Sequence, residues 1–134
     1  MLQEKHEDAL RTFYRCLRIS PEPGPTHAKK GTVYLEKNQS NEALKSYLQA
    51  VKCSPDMIYA WYDMAHILRG KKEEHNALKC LEVAIKVNNE FAPAWYMKGS
   101  ILYDLDMETE ADACHRTAYE LDPYVEEEYT SRFN

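Results

Sequence analysis

The stretch WYDMAHIL at residues 61–68 returns as WYMKGSIL at residues 95–102, and a weaker version, HAKKGTVY, stands at residues 27–34. The interval is 34 residues each time. The same interval relates Ala43, Ala77 and Ala111, then Ala50, Ala84 and Ala118, and the small residues Gly31, Ala65 and Gly99. One period before Ala43 stands Ala9, before Tyr47 stands Phe13, and before Pro55 stands Pro21. A fixed period of this length with small and aromatic anchors marks helix pairs stacked into a solenoid, where each pair buries its apolar face only against its neighbours.

Between these anchors the chain reads as helices throughout. Leu2, Ala9, Leu10, Phe13 and Leu17 recur at helical spacing and predict an amphipathic helix over 2–18, which the proline-rich segment at 20–25 ends. Three helix pairs follow: 25–37 with 41–53, 58–70 with 74–87, and 92–104 with 108–121. Ser40 and Asn41 are the candidate caps of the second helix in the first pair, with Glu42 in its first turn. Asn38 and Asp106 occupy matching turn positions where the backbone is expected to be left-handed; Lys72, at the same place, suits that conformation less well. Pro55, Asn89 and Pro123 stand just beyond the second helices, and YVEEEYTSRFN opens a further helix of about two turns.

The net charge of the 134-residue chain is −5, and it is unevenly spread. Residues 101–134 hold ten acidic residues against two basic ones, a balance of −8. Such an end repels phosphate backbones, so a nucleic-acid partner is not expected, and a basic or neutral protein partner is favoured there. Cys16, Cys53, Cys80 and Cys114 show no metal-ligand spacing and are expected to be semi-buried thiols of a reducing cytoplasm. MLQEKHEDAL carries no apolar leader core, and no apolar run reaches membrane-spanning length, so no membrane partner is expected.

The repeated residues resemble those of the tetratricopeptide repeat family. The middle pair reads WYDMAHIL, then Ala77, Leu81, Ala84 and Asn89; the third reads WYMKGSIL, then Ala111, His115, Ala118 and Pro123; the first reads HAKKGTVY, then Ala43, Tyr47, Ala50 and Pro55. The resemblance implies an all-α fold, an α-solenoid of stacked antiparallel helix pairs in a right-handed superhelix. It implies one domain over 1–134: a half repeat at 1–21, full repeats at 24–57, 58–91 and 92–125, and the start of a terminal helix at 126–134. Gly31, Ala65 and Gly99 then meet Ala43, Ala77 and Ala111 at close helix contacts, and Trp61 and Trp95 plug the layers. Lys30 and Lys98 replace the family's leucine, with stems that pack and ammonium groups that reach water. Asp112 and His115 make the third second-type helix more polar, as an outer repeat would be.

In this resemblance the first helix of each pair lines a concave groove. Ala60, Trp61, Met64, Ala65, Ile67 and Leu68 form the packing face of the middle one, which leaves Tyr59, Tyr62, Asp63, His66 and Arg69 for the groove. One period later come Tyr96, Ser100, Tyr103 and Asp104. Tyrosines add contact area and a hydrogen-bonding tip with few rotatable bonds. The expected function is therefore a protein-interaction scaffold holding a peptide or helix of a partner against these nine residues, partly exposed on one surface. The competing readings are that the tyrosines only cover neighbouring helices, that another part of the same assembly fills the groove, or that the chain is an assembly unit. Such a unit is a piece of a longer array or a homodimer formed through Ala9 and Phe13. The family's carboxylate clamp for chaperone C-termini needs Lys and Asn where this chain has Ala28 and Thr32, Asn where it has Asp63, and Lys and Arg where it has Pro93 and Met97, so that specificity is not expected. His66 and Asp63 have no accompanying nucleophile or phosphate loop, and the five histidines are scattered; no enzyme activity, metal or cofactor is expected.

Overall fold

A computed structural model describes residues 23–133; the helix expected over 2–18, with Ala9 and Phe13, lies outside the described residues. The described residues are all-α, with no strand. The helices are α1 Pro23–Glu36, α2 Ser40–Cys53, α3 Ile58–Gly70, α4 Glu74–Val87, α5 Ala92–Asp104, α6 Glu108–Leu121 and α7 Val125–Phe133. The chain divides into two compact units, residues 1–60 and 61–134, with the boundary inside α3.

In the first unit, α1 and α2 run antiparallel. Gly24 lies against Ser54, and Gly31 lies against the ring of Tyr47. A β-carbon on Gly31 would fall 2.9 Å from that ring, so the glycine lets the helices close over it. The Tyr47 hydroxyl lies 3.1 Å from Thr32 Oγ1, which gives this buried phenol a polar partner. The reversal is made at Asn38, whose φ is 60°. Its N–H donates to Leu35 O (3.0 Å), and the Gln39 N–H donates to Tyr34 O (2.8 Å), so the last carbonyls of α1 are satisfied. The cap expectation needs correction: α2 already begins at Ser40, and its cap position is Gln39, which makes no side-chain cap bond. Glu42 does lie in the first turn. Cys53 at the end of α2 is disulfide-bonded, contrary to the expectation of four thiols, whereas Cys80 and Cys114 are free.

The second unit repeats the same turn twice. Lys72 and Asp106 have φ of 65° and 60°, and the paired bonds recur as Lys72 to Arg69 O with Glu73 to Leu68 O, and Asp106 to Tyr103 O with Met107 to Leu102 O. The left-handed positions expected from the sequence are thus present, including the lysine that suits them poorly. All nine small anchors, from Gly31 and Ala43 to Ala118, are buried. Met64, Leu81, Met97 and Ile101 fill the core between them, each contributing roughly 1.5–3 kcal/mol by leaving water. Leu102, Ala111 and Cys114 form one cluster, against which Leu78 and Trp95 pack. Lys98 carries its ammonium over the Trp95 ring, 5.6 Å from the centroid. At the end of the chain Val125 is buried on Ala92 and Ala118, with Trp95 and Tyr96 beside them. That contact seats the start of α7.

Candidate functional site

The helical repeat of α3 places Tyr62, Asp63, His66 and Arg69 on one side, away from Met64, Ala65 and Leu68. In α7, Tyr129, Arg132 and Phe133 stand three and four residues apart and so share a face. These two faces meet. Arg132 Nε donates to Asp63 Oδ1 (2.9 Å) and Nη2 to Oδ2 (2.7 Å), a two-pronged ion pair. Phe133 stacks on His66, with centroids 3.8 Å apart and planes 14° apart, and leans on Tyr62 at 5.3 Å. Tyr129 meets Tyr96 of α5 at 5.1 Å and accepts a hydrogen bond from Arg69 Nη1 (3.0 Å). Arg69 Nε in turn donates to Asp104 Oδ2 (2.8 Å).

The nine expected groove residues therefore part company. Tyr62, Asp63, His66, Arg69 and Tyr96 come together beneath α7, and Asp104 joins them through Arg69. Tyr62 is 1% exposed and Asp63 4%, so the expectation of at least partial exposure is corrected for these two: the last helix of the chain covers them. Ser100 and Tyr103 face α6 instead. Ser100 Oγ donates to Tyr96 O (3.1 Å) and lies 3.4 Å from His115 Nε2; the Tyr103 hydroxyl donates to Asp112. Tyr59 is exposed and belongs to the first unit. Tyr129, Arg132 and Phe133 are the residues sequence reasoning left out. The available signal was an arginine set between two aromatic residues that share one helix face.

Burial dominates the electrostatics. It raises the pKa of the Tyr62 phenol far above its ordinary value, so the hydroxyl keeps its proton. It lowers that of His66, so the imidazole is neutral at neutral pH, the Asp63 charge only partly opposing this. Among the described residues, two buried side-chain polar atoms have no hydrogen-bond partner, Tyr62 Oη and His66 Nδ1, and both lie under α7. The site can hold a cation at Asp63, aromatic rings at Tyr62, His66 and Tyr96, and hydrogen-bonding groups at the two unpaired atoms. Among the described residues no group of His, Cys, Asp and Glu gathers to hold a metal ion, and no helix is long and apolar enough to cross a membrane.

Family models agree with the repeat. One described as TPR repeat matches residues 31–72, and one described as tetratricopeptide repeat matches residues 58–91 and again 92–124. No curated protein sequence matches the chain. Among solved structures, the first TPR of Spaghetti (RPAP3) bound to the HSP90 peptide SRMEEVD superimposes with a TM-score of 0.73 at 19% identity, covering 81% of this chain and 88% of that one. MamA does so at 0.72 and 21% identity, covering 90% of this chain and 72% of that one. The CopN–Scc3 complex matches at 0.74 and 15% identity, with 89% and 72% covered. At these identities the likeness is one of fold, a helical repeat solenoid.

Proposed function

Because the chain belongs to the tetratricopeptide repeat family, a family of protein-interaction scaffolds and not of enzymes, we propose that the face built by α3 and α5 binds a helix or peptide of another protein. One observation carries this reading: α7 lies on that face, held by Arg132 on Asp63 and by Phe133 and Tyr129 on the surrounding rings. A surface that accepts a helix by an ion pair and aromatic contacts has the chemistry of a recognition groove. The partner is a protein, not nucleic acid or membrane, and the three full repeats with a preceding half repeat act as one domain. Neighbours of the same fold are bound to the peptide SRMEEVD; that acidic ligand is not the one proposed here, since Asp63 already presents a carboxylate to any occupant.

The test is capture of partners by the intact chain, repeated with Tyr96→Ala, which removes a ring from the face while leaving the α3 core intact. A partner retained by the wild type and lost by the variant supports the groove. Partners captured equally by both place recognition elsewhere. The second reading is assembly: Val33 and Leu48 are exposed on α1 and α2, and association is expected to run through residues 2–18. Light scattering across a concentration series checks it, and a dimer that survives Phe13→Glu rules that contact out. A cytoplasmic location is part of the proposal and accords with the thiols of Cys80 and Cys114. The Cys53 disulfide counts against it; alkylation of Cys53 in freshly extracted protein supports the cytoplasm, and protection from alkylation overturns it.

A further inference from the structure

We propose that α7 is a resident ligand of the α3–α5 face, and that the partner able to displace it is a helix carrying an arginine between aromatic residues with the spacing of Tyr129, Arg132 and Phe133. This rests on the interaction reading above and names both the chemistry of the partner and the element that competes with it.

Three features argue for it. Asp63 is almost wholly buried and both of its oxygens are engaged by one guanidinium. An occupant that covers this carboxylate without a cation leaves a buried charge unpaired, and lysine cannot reproduce the two-pronged geometry. Next, α7 fits incompletely. Tyr62 Oη and His66 Nδ1 stay unpaired beneath it, and buried polar groups without partners cost stability. A helix that offers these two atoms an acceptor and a donor satisfies the site better than the resident one does. Last, α7 has nine residues, too few to hold a helix alone. Its start is seated by Val125, while its far half rests on the three side chains that a competitor would replace. The acidic balance of residues 101–134 favours a cationic competitor.

The experiment uses the full chain and a fluorescent synthetic peptide of residues 122–134. The peptide is expected to bind the Arg132→Glu chain at least tenfold more tightly than the wild type, whose own α7 blocks the face. A peptide carrying the same Arg132→Glu change is expected not to bind either chain. Tyr62→Phe removes an unpaired hydroxyl without changing shape and strengthens α7 and the peptide alike, so it is expected to tighten peptide binding to the opened Arg132→Glu chain while leaving binding to the otherwise wild-type chain nearly unchanged. Equal binding to wild type and Arg132→Glu, or no binding to the opened chain, overturns the proposal. Circular dichroism verifies the fold, and Phe133→Ala replaces Arg132→Glu if that variant melts early. Loss of peptide binding alongside Tyr96-dependent capture of a partner overturns the resident ligand alone; the reverse pattern overturns the partner reading alone.

Discussion

Gly99 leaves the space that the ring of His115 fills: a β-carbon on the glycine would overlap the imidazole Cδ2. The same relationship holds between Gly31 and the ring of Tyr47. In the middle repeat the corresponding residues are Ala65 and Leu81, both fully buried. A flat ring thus goes with glycine, and a branched aliphatic side chain with alanine.

Gly99→Ala is expected to destabilise the chain by about 1–3 kcal/mol through overpacking. Adding His115→Leu recreates the middle repeat's pair and is expected to recover at least half of the loss. Thermal or urea unfolding of the two single variants and the double gives the coupling. Strictly additive losses would show that the pair is not the unit of packing.

Lys72 holds a left-handed backbone with φ of 65° where no side chain is comfortable. Lys72→Gly is expected to stabilise the chain by about 1 kcal/mol and to raise the melting temperature by a few degrees. Lys72→Ala, the control, is expected to give no such gain. Equal melting of the Gly and Ala variants would remove backbone conformation as the cause.

The docking of α7 is expected to weaken on acidification. Under α7 burial holds His66 below its ordinary value of 6.5, with Asp63 and Arg69 of α3 beside it and Phe133 and Arg132 facing it from α7. Once α7 lifts, the imidazole regains that ordinary value, so the open form takes up a proton that the docked form does not. Stability of the docked state is therefore full above pH 6.5 and is lost as the pH falls from there towards the lowered value. Hydrogen-exchange protection factors in α7 between pH 7.5 and 5.5, corrected for the pH dependence of intrinsic exchange, read this. His66→Phe keeps the stack and is expected to flatten the profile; an unchanged profile in that variant assigns the effect to another group.

A peptide rich in carboxylates with a free C-terminus is expected not to bind, even to the opened Arg132→Glu chain. Asp63 and Asp104 present negative charge to the face, and Arg69, the cation between them, is engaged by Asp104 and Tyr129. Fluorescence anisotropy with such a peptide checks this, and saturable binding would contradict it.

Much of the local structure could be read from residue types. The left-handed turns at Asn38, Lys72 and Asp106 follow from a chain that must reverse at one place in every repeat. The small anchors follow from close helix contact, and the helices of the three pairs begin and end within two residues of expectation. The start of α2 was missed by one residue because Ser40 and Asn41 look like caps, whereas the turn itself, through Gln39, satisfies the helix end. The groove was half legible. Its α3 face followed from helical spacing, but the return of the chain over it did not. Tyr129, Arg132 and Phe133 make the same pattern whether they face solvent, a partner or Asp63, since spacing fixes which residues share a helix face and not what that face meets. Ser100 and Tyr103 were drawn to the groove by their offset from His66 and Arg69; the ring of His115, in the place of Tyr47 and Leu81, turns them towards α6.

The connection between α6 and α7 is three residues long, and Asp122 braces it by accepting the Tyr124 and Val125 N–H groups (2.9 and 3.1 Å). A segment tethered this closely meets its own docking face at an effective concentration of roughly millimolar or above. If α7 is a resident ligand, as proposed, any free ligand must outcompete that local supply, and the face would then act as a threshold device: weak and stray ligands would be ignored, and only a tight, multivalent or locally concentrated one would register.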